Sequence, residues 1–250
     1  MQYIFMPELR EVLVYFQCVP DTEVTLETLH QDKRPVILFS HGNAEDVGSY
    51  FNYCRWLATK TNCHVLTYDY FNYGLSSMAP TNEEYMLQCA TAVYNFVKSK
   101  SSCIFLVGKS IGTVPSIYLA SLFSENIAGL VLISPLASGI RCLSISHFLT
   151  QSMLSSFDSV FGDSLSRIVD VKCPVLFLHG LQDTVVPSYN TDVLYKALVQ
   201  NVSQKNAQLP VFFGNQKNPG THDNLETKFE QLFVRALCDF IHIHQACLKK

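Results

Sequence analysis

Gly108-Lys109-Ser110-Ile111-Gly112 carries the strongest chemical signal in the chain. The pentapeptide follows the apolar run Cys103–Val107 and opens the helical stretch Ile111–Phe123, so a G-x-S-x-G stands at a strand–turn–helix junction. On so tight a turn the serine hydroxyl projects above a sheet, and a Cβ at either glycine would crowd neighbouring backbone. A hydroxyl is a poor nucleophile at its own pKa. It needs an imidazole to take its proton and a carboxylate to hold that imidazole in one tautomer. Taken alone the pentapeptide is weak, because an N-capping serine in a glycine turn has the same sequence. Its weight rests on an acid and a base further along the chain.

Both are present in the order that such a nucleophile takes, serine then acid then histidine. The apolar run Val175–Leu178 ends in His179-Gly180-Leu181-Gln182-Asp183, which puts Asp183 in a loop beyond a strand's carboxyl end. The run Val211–Phe213 leads through a Gly/Asn/Pro-rich loop to Gly220-Thr221-His222-Asp223-Asn224, just before the last helix. Ser110 is then the expected nucleophile, Asp183 the acid and His222 the base. Asp170, Asp192 and Asp223 compete for the acid's role, each also explicable as a loop or capping aspartate. His41 and His179 each end a strand before a glycine and read as hydrogen-bonding residues that shape the loops. His30 lies on an edge segment, and His64, His242 and His244 in or beside regular elements. The loop Ser40-His41-Gly42-Asn43-Ala44 offers a backbone N–H to a developing oxyanion beside that of Ile111. The expected donors are Asn43, with Ala44 second, and Ile111. This chemistry calls for no cofactor and no metal.

These residues need a rigid frame. Short apolar runs at Val36–Ser40, Val65–Tyr68, Ile104–Val107, Leu130–Ile133, Val175–Leu178 and Val211–Phe213 read as strands covered on both faces. They alternate with helical stretches near 47–60, 83–99, 111–123, 189–200 and 224–244, the second marked by a stripe of Tyr85, Cys89, Ala92, Val93 and Phe96. The alternation predicts an α/β fold with a central, mostly parallel sheet flanked by crossover helices. Glu11–Gln17 and Glu23–Leu29 alternate apolar and polar residues, which suits an antiparallel hairpin at the sheet edge. Between about 141 and 168, Ile145, Phe148, Leu149, Met153, Leu154, Phe157, Val160 and Phe161 recur at near-helical spacing in a serine-rich background. A small cap lining an acyl pocket and a crossover helix share that pattern equally.

The 250 residues, 48% hydrophobic, suffice for a single domain over 1–250. Lys+Arg total 18 against 21 Asp+Glu, net −3, and the basic residues are scattered, which argues against nucleic acid as a partner. Nine cysteines without C-x-x-C spacing, several inside apolar runs, read as free thiols of a reducing compartment. No apolar stretch approaches the roughly 20 residues of a membrane span, and the opening residues lack the basic flank of a signal peptide. A cytoplasmic protein is expected. Cys247-Leu248-Lys249-Lys250 does not fit a prenylation signal.

With the motifs placed, the chain resembles the α/β-hydrolase domain-containing 17 family of acyl-protein thioesterases over most of 35–245. The likeness is carried by Leu38–Ala44, Tyr68-Asp69-Tyr70, Tyr73-Gly74, Ser110–Pro115 and Ser134–Gly139. It implies an α/β-hydrolase fold, Ser110, Asp183 and His222 as triad, removal of palmitate from protein cysteines, and an acylated protein or lipid-like ester substrate met at a membrane periphery. That family's N-terminal cysteine cluster has no counterpart before Cys18. Phe71-Asn72-Tyr73-Gly74 replaces a more glycine-rich turn, and Asn206–Gly220 is longer than the corresponding loop. A general lipid or small-molecule carboxylesterase with the same triad is the alternative. A catalytically silent binding module is disfavoured, because serine, acid, histidine, both glycines and the oxyanion loop remain together. The sequence leaves the oligomeric state open.

Overall fold

Short β-branched and aromatic runs become strands because helices cover them on both faces and nothing polar need point outward. The computed structural model describes residues 2–5, 12–19, 22–78, 80, 82–142, 162–201 and 207–245. Its strands are β1 (Gln2–Phe5), β2 (Leu13–Gln17), β3 (Val36–Ser40), β4 (His64–Tyr68), β5 (Ile104–Lys109), β6 (Gly129–Ile133), β7 (Val175–Gly180) and β8 (Val211–Phe213). They form one eight-stranded sheet in the order β1-β2-β4-β3-β5-β6-β7-β8. From β4 to β8 every pairing is parallel, and only β1–β2 and β2–β4 are antiparallel. This is the α/β-hydrolase frame expected from the sequence.

The helices are α1 (Phe51–Thr61), α2 (Glu83–Lys98), α3 (Thr113–Phe123), α4 (Ser164–Ile168), α5 (Tyr189–Asn201), α6 (Leu225–Lys228) and α7 (Glu230–His244). Alternate strand residues serve opposite layers. Leu38, Leu66, Leu106 and Phe177 pack with Val93 of α2, Ile117 of α3, Ile168 of α4 and Leu194 of α5. Ile37, Phe39, Val107 and Leu176 face Leu57 of α1 and Phe233 and Leu237 of α7 on the other side. Helix α3 is buried on nearly all sides, which fits its uniformly apolar sequence and its place beside the central strands.

Several expectations need correction. The edge hairpin does not use Glu23–Leu29. Strand β2 pairs with β1 along one side and with β4 along the other, so its hairpin partner is β1 and no side of β2 is left for Glu23–Leu29. Residues 26–28 instead form a turn that runs into a short 3-10 helix, Leu29–Gln31, with Leu26 and Leu29 buried. Thr25 and Thr28 close that turn, the Thr25 N–H donating to Thr28 Oγ1 at 2.9 Å. The buried face of α2 runs through Met86, Cys89, Ala90, Val93 and Val97, so Tyr85, Ala92 and Phe96 lie on its margin. The stretch 224–244 is two helices that meet at Phe229. In the segment 141–168, residues 143–161 lie outside the described residues, as do all the aromatic and aliphatic positions that suggested a cap. Its described end, α4, belongs to the body of the domain: Ile168 is in the core, and Arg167 pairs with Glu83 of α2.

Candidate active site

Strand β5 delivers Ser110 into a conformation that few non-glycine residues adopt, with φ at +54°. Such a backbone costs on the order of 1–3 kcal/mol and persists only where the surroundings enforce it. Here the surroundings are explicit. Thr113 Oγ1 donates to the Ser110 carbonyl at 2.6 Å and accepts the Leu136 N–H at 3.1 Å, which ties the turn to the loop after β6. Ser116 Oγ donates to the Gly112 carbonyl at 2.9 Å. A Cβ at Gly112 would run into the Ser40 carbonyl oxygen, and one at Gly108 into the Gly112 carbonyl. The start of α3 is thus pressed against the loop after β3, and no larger residue fits at either place.

The fold brings Asp183 and His222 together. His222 Nδ1 lies 2.7 Å from Asp183 Oδ2, and both residues are buried. The carboxylate accepts, so Nδ1 donates and Nε2 keeps the free lone pair. Asp183 Oδ1 accepts the N–H groups of Val185 and Val186 at 2.9 and 2.8 Å. Burial pushes the Asp183 carboxyl up, but hydrogen bonds from His179, His222 and the Val186 N–H outweigh it and hold the group well below the usual carboxylate range. His179 Nε2 lies 2.8 Å from the Val186 carbonyl and 3.4 Å from Asp183 Oδ2, so its proton sits there and its Nδ1 accepts from Thr191 Oγ1 at 2.7 Å. Gln182 locks the two loops together. Its N–H donates to the Gly220 carbonyl at 2.9 Å, and its Oε1 accepts the Gly220 N–H at 3.0 Å.

Ser110 Oγ makes no hydrogen bond to His222, a contact that often tightens only when substrate binds. Of the competing carboxylates, none bonds His222. Asp192 stands in the first turn of α5, Asp170 in a turn after α4, and the Asp223 side chain is 76% exposed.

The loop after β3 adjoins the serine, since a Cβ on Gly42 would lie 3.7 Å from that of Ser110. Asn43 is exposed, its Oδ1 accepts from Tyr73 O–H at 2.6 Å, and its backbone N–H has no acceptor among the described residues. Ala44 takes a left-handed φ of +57°. His41 shapes this loop from beneath: buried, it places Nδ1 2.9 Å from the Gly42 carbonyl and Nε2 3.6 Å from Asp69 Oδ1, while its carbonyl accepts from Tyr70 O–H at 2.9 Å.

Four participants received no role from the motifs, although Lys109 and Asp69 lie within them. Glu45 Oε2 accepts the Gly42 N–H at 2.8 Å, and Asp69 Oδ1 accepts the Val47 N–H at 2.7 Å. Lys109 and Glu226, both buried, bring Nζ and Oε1 within 3.6 Å, joining the serine turn to the helix that follows His222. The available clue was a charge inside the pentapeptide and another on the last helical stretch. No group of His, Cys, Asp and Glu suited to a metal occurs among the described residues.

Residues 31–166, more than half of the chain, match the family described as serine aminopeptidase, S33. The chain belongs to this hydrolase family. The alpha/beta hydrolase domain-containing protein aho-3 of Caenorhabditis elegans is 40% identical over 154 residues, 60% of this chain and 44% of that protein. Human alpha/beta hydrolase domain-containing protein 17C is 33% identical over 177 residues, 69% of this chain and 48% of that protein. These relatives bear out the resemblance drawn from the motifs, although the match spans about half of their length. Among solved structures, Est1E from Butyrivibrio proteoclasticus with bound ferulic acid superposes at a TM-score of 0.72 with 16% identity, covering 98% of this chain and all of that one. A Pyrococcus furiosus esterase, Pf2001, gives 0.71 with 18% identity, over 98% of this chain and 90% of that one. At such identities the likeness is one of fold.

Proposed function

We propose that the protein is a serine hydrolase that cleaves acyl thioesters, foremost the palmitoyl thioesters of S-acylated protein cysteines. His222 Nε2 takes the proton of Ser110 as Oγ bonds to the acyl carbon, and the Asn43 and Ile111 N–H groups receive the oxyanion. Collapse breaks the C–S bond, and the imidazolium returns its proton to the departing thiolate. Water then attacks the acyl-serine, losing its proton to His222; collapse breaks the bond between the acyl carbon and Ser110 Oγ, His222 returns the proton to Oγ, and the fatty acid leaves. The observation that carries this reading is the bonded, buried Asp183–His222 pair beside a serine held at positive φ between two glycines. The motifs shared with the domain-containing 17 proteins support the thioester as the bond cleaved. Free thiols at Cys18, Cys54, Cys63, Cys89, Cys103, Cys173 and Cys238, several raised by burial to about 12, suit a reducing cytoplasm. No described helix is long and apolar enough to cross a membrane; substrates met at the membrane periphery are what the resemblance to the domain-containing 17 proteins supports.

The test is labelling by a fluorophosphonate probe together with turnover of a palmitoyl thioester. Ser110→Ala is expected to abolish labelling and to lower turnover by about 10⁴-fold or more. Unchanged labelling would remove Ser110 from its role, and a wild-type preference for acetyl esters over palmitoyl thioesters would favour the carboxylesterase reading.

A further inference from the structure

Two large clefts of about 760 and 670 Å³ lie away from the serine turn. The first is lined by Asp32–Pro35 and Lys60–Asn62, which precede β3 and β4 and so sit at the opposite end of the sheet. The second runs along α2, with Glu83, Glu84 and Arg167 on its walls. A smaller cavity of about 240 Å³ is different in place and in chemistry. Its wall is mostly aromatic and apolar, with Tyr70, Phe71, Tyr73, Tyr85, Met86 and Ile111, but also includes Asn72 and Asn82, and no charged residue among the described ones lines it. Ile111 is the residue after Ser110. Tyr73 O–H donates to Asn43 Oδ1, and Tyr70 O–H donates to the His41 carbonyl, so this wall is bonded directly to the oxyanion loop. With those hydroxyls engaged, the tyrosines have rings left to offer an occupant. Phe71 and Tyr85 meet edge to face at 5.9 Å, and Tyr70 and Tyr73 at 5.3 Å, which braces the wall.

We infer that this aromatic cavity is the acyl-binding subsite, and that it receives the carbonyl-proximal stretch of the chain to a depth of about eight carbons, taking roughly 30 Å³ for each group the size of a water molecule. The inference rests on the reading of Ser110 as the acyl acceptor. A mostly apolar lining with no charge among the described residues disfavours a charged occupant, because no opposite charge offsets its desolvation. Each methylene that enters multiplies kcat/KM by about four, and methylenes beyond the cavity add nothing. Tyr85 and Phe71 set its size.

The test is kcat/KM for acetyl, butanoyl, octanoyl, dodecanoyl and palmitoyl thioesters of one thiol. Rates should rise by on the order of 10³-fold from acetyl to octanoyl, six methylenes at about fourfold each, and then level off. Tyr85→Ala should move the break to longer chains and Phe71→Trp to shorter ones. A rise that continues unbroken to palmitoyl, or a break that neither substitution moves, overturns the subsite while leaving the hydrolase reading intact. Calorimetric binding of octanoate to the Ser110→Ala protein reads the cavity without turnover. About tenfold weaker binding after adding Phe71→Trp supports the subsite even if no thioester is cleaved, and the absence of octanoate binding overturns it.

Discussion

Four donors converge on the Asp183 carboxylate: two backbone N–H groups, the His222 ring and, at longer range, the His179 ring. An amide in its place has one oxygen and one nitrogen. With the oxygen kept on the Val185 and Val186 N–H groups, the NH₂ faces His222 Nδ1 and obliges that nitrogen to accept. The proton then moves to Nε2, and the lone pair that the proposed mechanism uses to take the Ser110 proton is lost. Asp183→Asn should therefore keep the far-ultraviolet dichroism of the wild type and lower turnover by on the order of 10⁴-fold. Asp192→Asn, in the first turn of α5 and without a contact to His222, should leave turnover nearly unchanged. Equal losses in the two variants would remove Asp183 from the triad.

The elements that hold these residues are joined by a contact with no motif behind it, the Lys109–Glu226 pair between β5 and α6. Removing one partner of a buried pair strands the other charge, at a cost of about 3–5 kcal/mol, whereas removing both is far cheaper. Lys109→Met should lower the urea midpoint strongly, and Lys109→Met with Glu226→Leu should recover much of the loss; strictly additive changes would show the two side chains to be uncoupled. The pair also marks where reading by pattern ends. Strands β3 to β8 were legible because each is a short apolar run between polar breaks, and Ser110, Asp183 and His222 because each follows such a run at its carboxyl end. Glu23–Leu29 misled because alternation describes a buried turn as well as a strand, and only the pairing of β2 on both sides distinguishes them. The α2 stripe slipped because Tyr85 and Phe96 are apolar enough to pass as core yet stand at the margin of the buried face. Glu45, Asp69 and Glu226 were illegible because their partners lie on other elements or on loop backbone, and neither carries periodicity.

On the scale of the molecule, one sheet gathers every functional loop at its carboxyl edge, so the stability of the fold and the protonation of the site are linked. Asp183 has a folded-state pKa below its ordinary value near 3.8. A carboxyl so depressed contributes stability that is fully present above the unfolded value and is lost as pH falls through that value toward the folded one. Asparagine cannot titrate, and Asp183→Asn lacks this contribution at every pH. The urea midpoints of wild type and Asp183→Asn should therefore differ most at neutral pH, with wild type the more stable. The gap should hold from pH 7 to about pH 5 and then narrow steadily as the medium is taken toward pH 3, because proton uptake by the unfolded chain erodes the wild type alone. The measurement is a pair of urea titrations followed by tryptophan emission at each pH, Trp56 being the only indole and lying on α1, away from the substitution. A gap that stays constant from pH 7 to pH 3 would mean that the Asp183 carboxyl is not depressed in the folded state, and that the donors around it do not do more than offset its burial.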